Sequence, residues 1–240
     1  MKILPLVLSG ALLLGPLFRS HGQVGPALDM TLMTGWTGGA AVQYDLEKRA
    51  AAAKGGNAVS AKAAPSYSYR PSPAMREQTV ERAVEQLKPT NPTGASALAS
   101  VFGPGKYDYD QTYAEIIKGT GLRATDAADA MACYLLMGYA IVHNLQDDKA
   151  IGPPLARGVR AQVANILAQN PNFKPDDPLA AAKFGEELKL QTVILQGGWQ
   201  SAVKQKAYPA YRNTVAQNFR TGFGLDLSQL KLTTQGFAKR

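Results

Sequence analysis

Residues 131–142 read Met-Ala-Cys-Tyr-Leu-Leu-Met-Gly-Tyr-Ala-Ile-Val, an apolar run without a charged residue. Thr125 stands ahead of this run as a candidate N-cap, and Asp126 and Asp129 fall in the first turn, where the helix dipole favours acids. A helix that is apolar on every side lies in a protein interior. The run therefore predicts a buried central helix over about residues 126–144.

Apolar residues recur at helical spacing on both sides of this run, and no series of alternating strands accompanies them. The fold is therefore predicted to be all-α, a helical bundle around the central helix. Five further helices are expected. The first lies within residues 73–88, and the second runs from Asp108 or Asp110 to about Gly119. The others lie within residues 153–170, from Pro178 to Gly197-Gly198, and from Trp199 to Phe219 with a bend or break at Pro209. A looser segment with Leu98, Val101 and Phe102 as buried residues and an extended tail over Leu225–Phe237 complete the domain.

The first 22 residues have the pattern of a secretory signal peptide. Lys2 supplies a positive charge, an apolar run extends from Ile3 to Phe18, and small residues precede a cleavage position before Gln23. The alternative is a membrane anchor, but a spanning helix needs about 20 apolar residues and this run has about 16. The pattern favours cleavage, which predicts an exported protein, periplasmic or secreted, with no transmembrane segment after signal removal.

Residues 23–72 are predicted to form a disordered, mostly irregular arm, followed by a helical domain over residues 73–240. Glycine, alanine and proline dominate the arm, so few large aliphatic residues are available to offset the entropy of ordering. Tyr67 and Tyr69, near its end, are expected to dock onto the folded part.

The charge of the chain is uneven. Its net charge is +8, but residues 71–148 hold 6 basic and 10 acidic residues, whereas residues 149–240 hold 13 basic and 5 acidic residues. A basic half indicates an anionic partner, although mutual attraction of the halves or ordinary solvated helix faces would also explain it. The candidate anion-binding residues are Arg157, Arg160, Lys204, Lys206, Arg212 and Arg220, with Tyr208 and Tyr211 interleaved as in stacking sites. For an exported protein, an anionic envelope polymer or lipid is a more plausible target than nucleic acid.

Paired carboxylates that face one cleft can perform acid/base chemistry or hydrolyse glycosides. Glu115, Asp126 and Asp129 are the candidates, although helix capping alone also explains the two aspartates. His143 cannot partner Asp129 within one helix, because 14 residues separate them by about 21 Å along the axis. His143 is instead expected to be a polar residue near the helix C-terminus.

No metal or cofactor site is predicted. Cys133 and His143 lie about 15 Å apart along the helix axis, so they cannot share a zinc ion. Cys133 is the only cysteine, and its apolar surroundings favour a core residue. The chain has no nucleophile elbow and no phosphate-binding loop.

Two segments resemble a family of uncharacterised exported bacterial proteins. Gly121-Leu-Arg-Ala-Thr-Asp-Ala-Ala-Asp-Ala-Met-Ala-Cys-Tyr134 is similar to the central helix of that family, and Phe223-Gly-Leu-Asp-Leu-Ser-Gln-Leu-Lys-Leu-Thr-Thr-Gln-Gly-Phe237 is similar to its tail. The resemblance covers roughly residues 73–237. It implies a bacterial origin and the extent of the domain, and no activity.

Two functions remain as hypotheses. The first is a non-enzymatic exported module that acts through contacts with another protein or an anionic envelope component. The second is a hydrolase of a cell-wall type polymer that uses the three acids named above. The geometry of those acids distinguishes the two.

Overall fold

The computed structural model describes Asp45 and residues 67–147, 149–170, 173 and 177–240. The predicted signal peptide and nearly all of the predicted arm lie outside the described residues. The described helices are α1 (Pro73–Leu87), α2 (Pro92–Phe102), α3 (Tyr109–Ile117), α4 (Ala127–Val142), α5 (Pro153–Gln169), α6 (Pro178–Lys204) and α7 (Tyr208–Phe223). A short 3₁₀ helix (Leu227–Gln229) and the hairpin β1 (Leu230–Thr233) and β2 (Gly236–Lys239) follow. The prediction of an all-α fold is confirmed.

Helix α4 is the centre of the bundle. Every residue from Ala127 to Ile141 is buried, and the helix packs against α5, α6 and α7. Gly138 permits a close approach of α7, because a side chain there would collide with the ring of Phe219. The predicted central helix is confirmed, and its lack of a polar face follows from having neighbours on several sides.

The first three helices form a smaller layer, in which α1 packs on α2 and both α1 and α3 pack on α6. Asp108 caps α3, which was one of two predicted capping residues. The segment predicted to be loose is helix α2. Its start is fixed by Asn91, whose side chain accepts a hydrogen bond from Gly94 N, and by Pro92 in the first turn.

The predicted end of a helix at Gly197-Gly198 is wrong, because α6 continues through both glycines to Lys204. Gly198 is part of a close helix contact: Tyr211 of α7 lies against it and donates a hydrogen bond to Leu195 O at 2.9 Å. The predicted break near Pro209 is present but lies a few residues earlier. The chain turns at residues 205–207, and Pro209 stands in the first turn of α7, where its missing N–H costs nothing.

The C-terminal hairpin covers α5. Phe237 of β2 donates its N–H to Gln162 Oε1 at 2.7 Å and accepts from Gln162 Nε2 at 3.2 Å, so one buried amide pairs with both polar groups of that residue. The same Nε2 donates to the carboxylate of Asp45 at 2.9 Å. The predicted extended tail is confirmed, and it takes the form of an antiparallel hairpin.

Residues Tyr67–Arg70, named the strap below, run across the start of α4. Tyr69 N donates to Thr125 O at 2.9 Å, and Ala127 N donates to Tyr67 O at 3.0 Å. Both tyrosines are buried, which confirms their predicted docking. The folded unit therefore begins before α1 and includes the strap.

Candidate functional site

Asp126 is the N-cap of α4. Its Oδ1 accepts hydrogen bonds from Ala128 N at 3.0 Å and Asp129 N at 3.1 Å, while its backbone is extended. The prediction that Thr125 caps this helix is therefore wrong by one residue. Thr125 contributes its carbonyl to the strap instead, so the cap had to move to the next residue with a suitable side chain.

The second oxygen of Asp126 serves the strap and a pair of arginines. Oδ2 accepts from Tyr67 N at 2.9 Å and from Arg123 Nη2 at 2.6 Å, and Arg160 Nη2 lies at 3.5 Å. The side chain of Asp126 is fully buried. One carboxylate thus joins the strap, the loop before α4 and helix α5 at a single point.

Asp129 lies one turn further along α4 and binds the same arginines. Its Oδ2 accepts from Arg123 Nε at 2.8 Å and Arg123 N at 2.9 Å, and its Oδ1 accepts from Arg160 Nε at 2.9 Å. The hydrogen bond with Asp129 is the largest cause that raises the pKa of Arg123. We name Asp126, Asp129, Arg123 and Arg160 the clamp. The two carboxylates and two guanidinium groups carry equal and opposite charge, and buried charges in proteins are normally stabilised by such pairing.

Glu115 is not part of the clamp. It pairs with Lys118 at 3.6 Å, one turn along α3, and about half of its side chain is exposed. The three acids considered for hydrolysis therefore separate into a buried pair and one surface residue. Each oxygen of the buried pair already accepts hydrogen bonds.

A second buried charged group, which the sequence did not indicate, lies on α6. Glu186 Oε1 accepts from Lys189 Nζ and from Tyr69 OH, both at 2.8 Å, and Oε2 accepts from Tyr109 OH at 2.7 Å. Glu186 and Lys189 are both fully buried. Burial and the nearby carboxylate raise the pKa values of Tyr69 and Tyr109, so both hydroxyls keep their protons and act as donors.

This group reaches towards the surface through Asp110. Lys189 also pairs with Asp110, whose side chain is partly exposed, and the Nζ lies 5.5 Å from the ring centre of Tyr113. Arg76 on α1 bonds Asp108 at 2.9 Å and approaches Asp110. This buried group is only weakly indicated by the sequence. Glu186 and Lys189 are three residues apart, a spacing that ordinary exposed ion pairs on helices also have.

The strap connects the two groups. Tyr67 holds Asp126 through its N–H, and Tyr69 reaches Glu186 through its hydroxyl. Gly185 makes room for the ring of Tyr69, since a side chain there would overlap it. Chemically, both groups fix the strap to the bundle, and neither presents an unpaired nucleophile.

The cations considered for anion binding are dispersed. Arg160 is part of the clamp, Arg220 pairs with Asp226 at 3.1 Å, and Arg157 is exposed beside Gly121. Lys204, Lys206 and Arg212 lie together in sequence where α6 ends and α7 begins, and all three are exposed. Tyr211 is buried and donates to Leu195 O at 2.9 Å, so its ring is not available to a ligand, whereas Tyr208 is half-buried and donates to Ile141 O at 2.7 Å.

Cys133 is buried in α4, and burial raises the pKa of its thiol to about 12, which agrees with the predicted core position. Within the described ranges, no three His, Cys, Asp or Glu side chains are arranged to hold a metal ion. No described helix has the length and apolar character required to cross a bilayer.

These features define a helical domain whose N-terminal strap is held by two buried charged groups. The chain belongs to a family of unknown function, DUF6683, whose model matches residues 38–240. The family region begins well before residue 73, where the resemblance to the exported family was expected to start, and it includes Asp45 and the strap. The chain has no match among curated proteins or solved structures.

Proposed function

We propose that this protein is an exported, non-enzymatic helical module that binds an anionic component of the bacterial envelope. The contact surface is the exposed trio Lys204, Lys206 and Arg212, named the cationic corner below. The single observation that carries the proposal is the composition of the chain around this corner. From residue 190 to residue 219 the chain has three basic residues, which are the members of this corner, and no acidic residue.

The local structure adds to this charge. None of the three side chains forms an ion pair with a described residue, so their charges face solvent. Helix α7 starts beside them at Tyr208; its N-cap residue, Ala207, provides no side-chain cap, and there is no acid in its first turn. The positive end of a helix dipole therefore reinforces the cations. Such a surface attracts anionic polymers or lipid headgroups without needing a shaped pocket.

The alternative function, hydrolysis of a cell-wall type polymer, has less support. Such an enzyme needs two carboxylates that face a common cleft. Asp126 instead binds Arg123 at 2.6 Å, Asp129 binds Arg123 at 2.8 Å and Arg160 at 2.9 Å, and the half-exposed Glu115 pairs with Lys118. Export rests on the signal-peptide pattern of residues 1–22. Mass spectrometry of the protein from its native host tests it: a chain beginning near Gln23 supports export, and an intact Met1 in the cytoplasm contradicts it.

Vesicle binding tests the contact surface. The probe is a vesicle of phosphatidylcholine with phosphatidylglycerol, compared with phosphatidylcholine alone, in a co-sedimentation assay. A triple variant Lys204→Gln, Lys206→Gln and Arg212→Gln is expected to lose about 100-fold in affinity, because each cation near an anionic surface contributes about 1 kcal/mol. Added salt is expected to weaken binding by the native protein.

A matched control removes the same charge elsewhere. Lys88, Lys106 and Lys183 are also exposed and lie outside the corner. Their triple substitution by glutamine is expected to reduce affinity less than threefold or so, because screening limits the reach of a surface charge to about 10 Å. Equal losses in the two triple variants, or equal binding to both kinds of vesicle, would contradict the proposal.

A further inference from the structure

His143 closes the C-terminal end of α4 and connects it to the end of the chain. Its Nε2 lies 3.0 Å from Leu227 O, and its Nδ1 lies 3.1 Å from Arg240 Nη2. The ring packs on Tyr139, one turn earlier, with 4.2 Å between ring centres. The imidazole therefore bonds through both nitrogens to segments 84 and 97 residues away in sequence.

The chemistry of these partners fixes the protons of the ring. A backbone carbonyl only accepts hydrogen bonds, so Nε2 must carry a hydrogen. A guanidinium only donates and stays charged, so Nδ1 must offer a lone pair. His143 is thus neutral in this arrangement, with its hydrogen on Nε2.

We propose that His143 and Arg240 form an acid-sensitive latch on the C-terminal hairpin. When Nδ1 takes up a proton from solvent, its lone pair is lost and an imidazolium faces the guanidinium. The bond to Arg240 breaks, while Nε2–H continues to donate to Leu227 O. Histidine is the side chain best suited to a proton-driven change of charge, so uptake of a proton by the imidazole operates the latch.

The neighbours of His143 are compatible with this change. Tyr139 on α4 packs on the ring, and Tyr208 on α7 donates to Ile141 O, two residues before His143. Asp226, beside Leu227, is held by Arg220 and Ser228. The C-terminal end of the α4 dipole favours an imidazolium, so the helix itself tolerates the protonated state.

Release of Arg240 loosens the end of the hairpin. Arg240 also donates from Nε to Leu230 O at 3.1 Å and from its backbone N to Gln229 O at 3.0 Å. These bonds align the guanidinium with His143, and repulsion from an imidazolium weakens all of them together. The expected movement is therefore confined to the last residues of β2 and the terminal arginine.

The latch lies beside the cationic corner. Tyr208 belongs to the first turn of α7 and bonds to Ile141, two residues before His143. Protonation adds one positive charge and frees another at this end of the bundle. Acid is then expected to strengthen binding to anionic vesicles; this consequence rests on the proposed function, whereas the latch does not.

Nitrogen-detected NMR of the full-length protein tests the latch. The sequence has two histidines, so a His21→Gln variant assigns the signals. At about pH 8 we expect His143 to carry its hydrogen on Nε2. In an Arg240→Ala variant, the midpoint of proton uptake by His143 is expected to move to higher pH, because a facing cation has been removed. A hydrogen on Nδ1 in the native protein, or an unmoved midpoint, would overturn the proposal.

A His143→Asn variant provides the non-titrating control, because an amide oxygen can still accept from Arg240. Near pH 5.5, amide exchange at Lys239 and Arg240 is expected to be about tenfold faster in the native protein than in this variant, with equal rates near pH 8. Equal rates at both pH values would contradict the latch. If the latch passes these tests and neither protein binds anionic vesicles at either pH, the proposed function fails alone. If vesicles bind without a pH difference between native and His143→Asn protein, the link between latch and corner is wrong.

Discussion

Arg160 Nε on α5 lies 2.9 Å from Asp129 Oδ1 on α4, and only 4% of the Asp129 side chain and 15% of the Arg160 side chain are exposed. Together with the longer contact of Arg160 to Asp126, this contact links the central helix to α5 through charged side chains. Removing one member of a buried ion pair leaves an uncompensated charge and costs about 3 to 5 kcal/mol.

The first prediction concerns Asp129. Asp129→Asn is expected to lower the free energy of unfolding by about 3 kcal/mol, since Arg123 and Arg160 then face each other with one carboxylate between them. Urea denaturation followed by circular dichroism measures the change. Glu115→Gln is the control: its pair with Lys118 is exposed, so we expect a change below about 0.5 kcal/mol. A loss for Asp129→Asn no greater than that of the control would mean that the dipole interaction alone explains the acid.

The second prediction concerns the strap. Tyr69→Phe removes a hydroxyl that donates to the buried Glu186 carboxylate at 2.8 Å, and it is expected to cost about 2 kcal/mol. Tyr208→Phe is the matched control, because that hydroxyl donates to an uncharged carbonyl near the surface and is expected to contribute about 1 kcal/mol or less. If the strap is not part of the folded unit, Tyr69→Phe will leave the urea midpoint unchanged.

The sequence pattern was sufficient to predict those helices whose distribution of apolar residues fits a single structural arrangement. The run from Met131 to Val142 is apolar throughout, and only burial suits such a helix. The position of the cap depended on a tertiary contact: Thr125 and Asp126 are both good capping residues, and the strap decides between them by using the Thr125 carbonyl. The pattern of a single sequence does not predict which segment will pack across the N-terminus of that helix.

The candidate site was less predictable for a related reason. Asp126 and Asp129 were recognised as a pair, but their partners Arg123 and Arg160 are separated in sequence by the whole central helix. Glu186 and Lys189 stand in a stretch that also holds Lys183 and Glu187, and charges at such helical spacing are usually solvated. Which charges become buried is decided by packing between helices, and the hydrophobic pattern of each helix carries little information about it.

The third prediction concerns Gly198, which lies within the continuous helix α6. Gly198→Ala is expected to destabilise the protein by about 1 to 3 kcal/mol, because the added carbon would stand 2.7 Å from Tyr211 Cζ and force α7 outwards. Gly152→Ala is the control, since the nearest atom to a new side chain there is 3.8 Å away. A stabilised Gly198→Ala protein would show that helix propensity outweighs the contact with Tyr211.

The last prediction concerns the thiol of Cys133, which is buried among the helices around α4. Burial raises its pKa to about 12. Near pH 8 the thiolate, which is the reactive form, is therefore a fraction on the order of 10⁻⁴ of the molecules, and the sulfur is also shielded from reagent. Alkylation by iodoacetamide is expected to be negligible in the native protein and rapid in urea. Raising the pH to about 9 increases the thiolate fraction only to about 10⁻³, and alkylation is expected to stay negligible while the protein is folded, because the sulfur remains shielded from the reagent.

A Ser100→Cys variant provides an internal control, because Ser100 is exposed on α2. Mass spectrometry of peptides from one alkylated sample compares the two thiols under the same conditions. The introduced thiol is expected to react at least 100-fold faster than Cys133 in buffer, and the two rates are expected to converge in urea. Comparable rates in buffer would mean that the core around α4 opens often enough to admit the reagent, because labelling of a buried group reports local unfolding. The fully buried central helix would then be wrong as a description of the protein in solution.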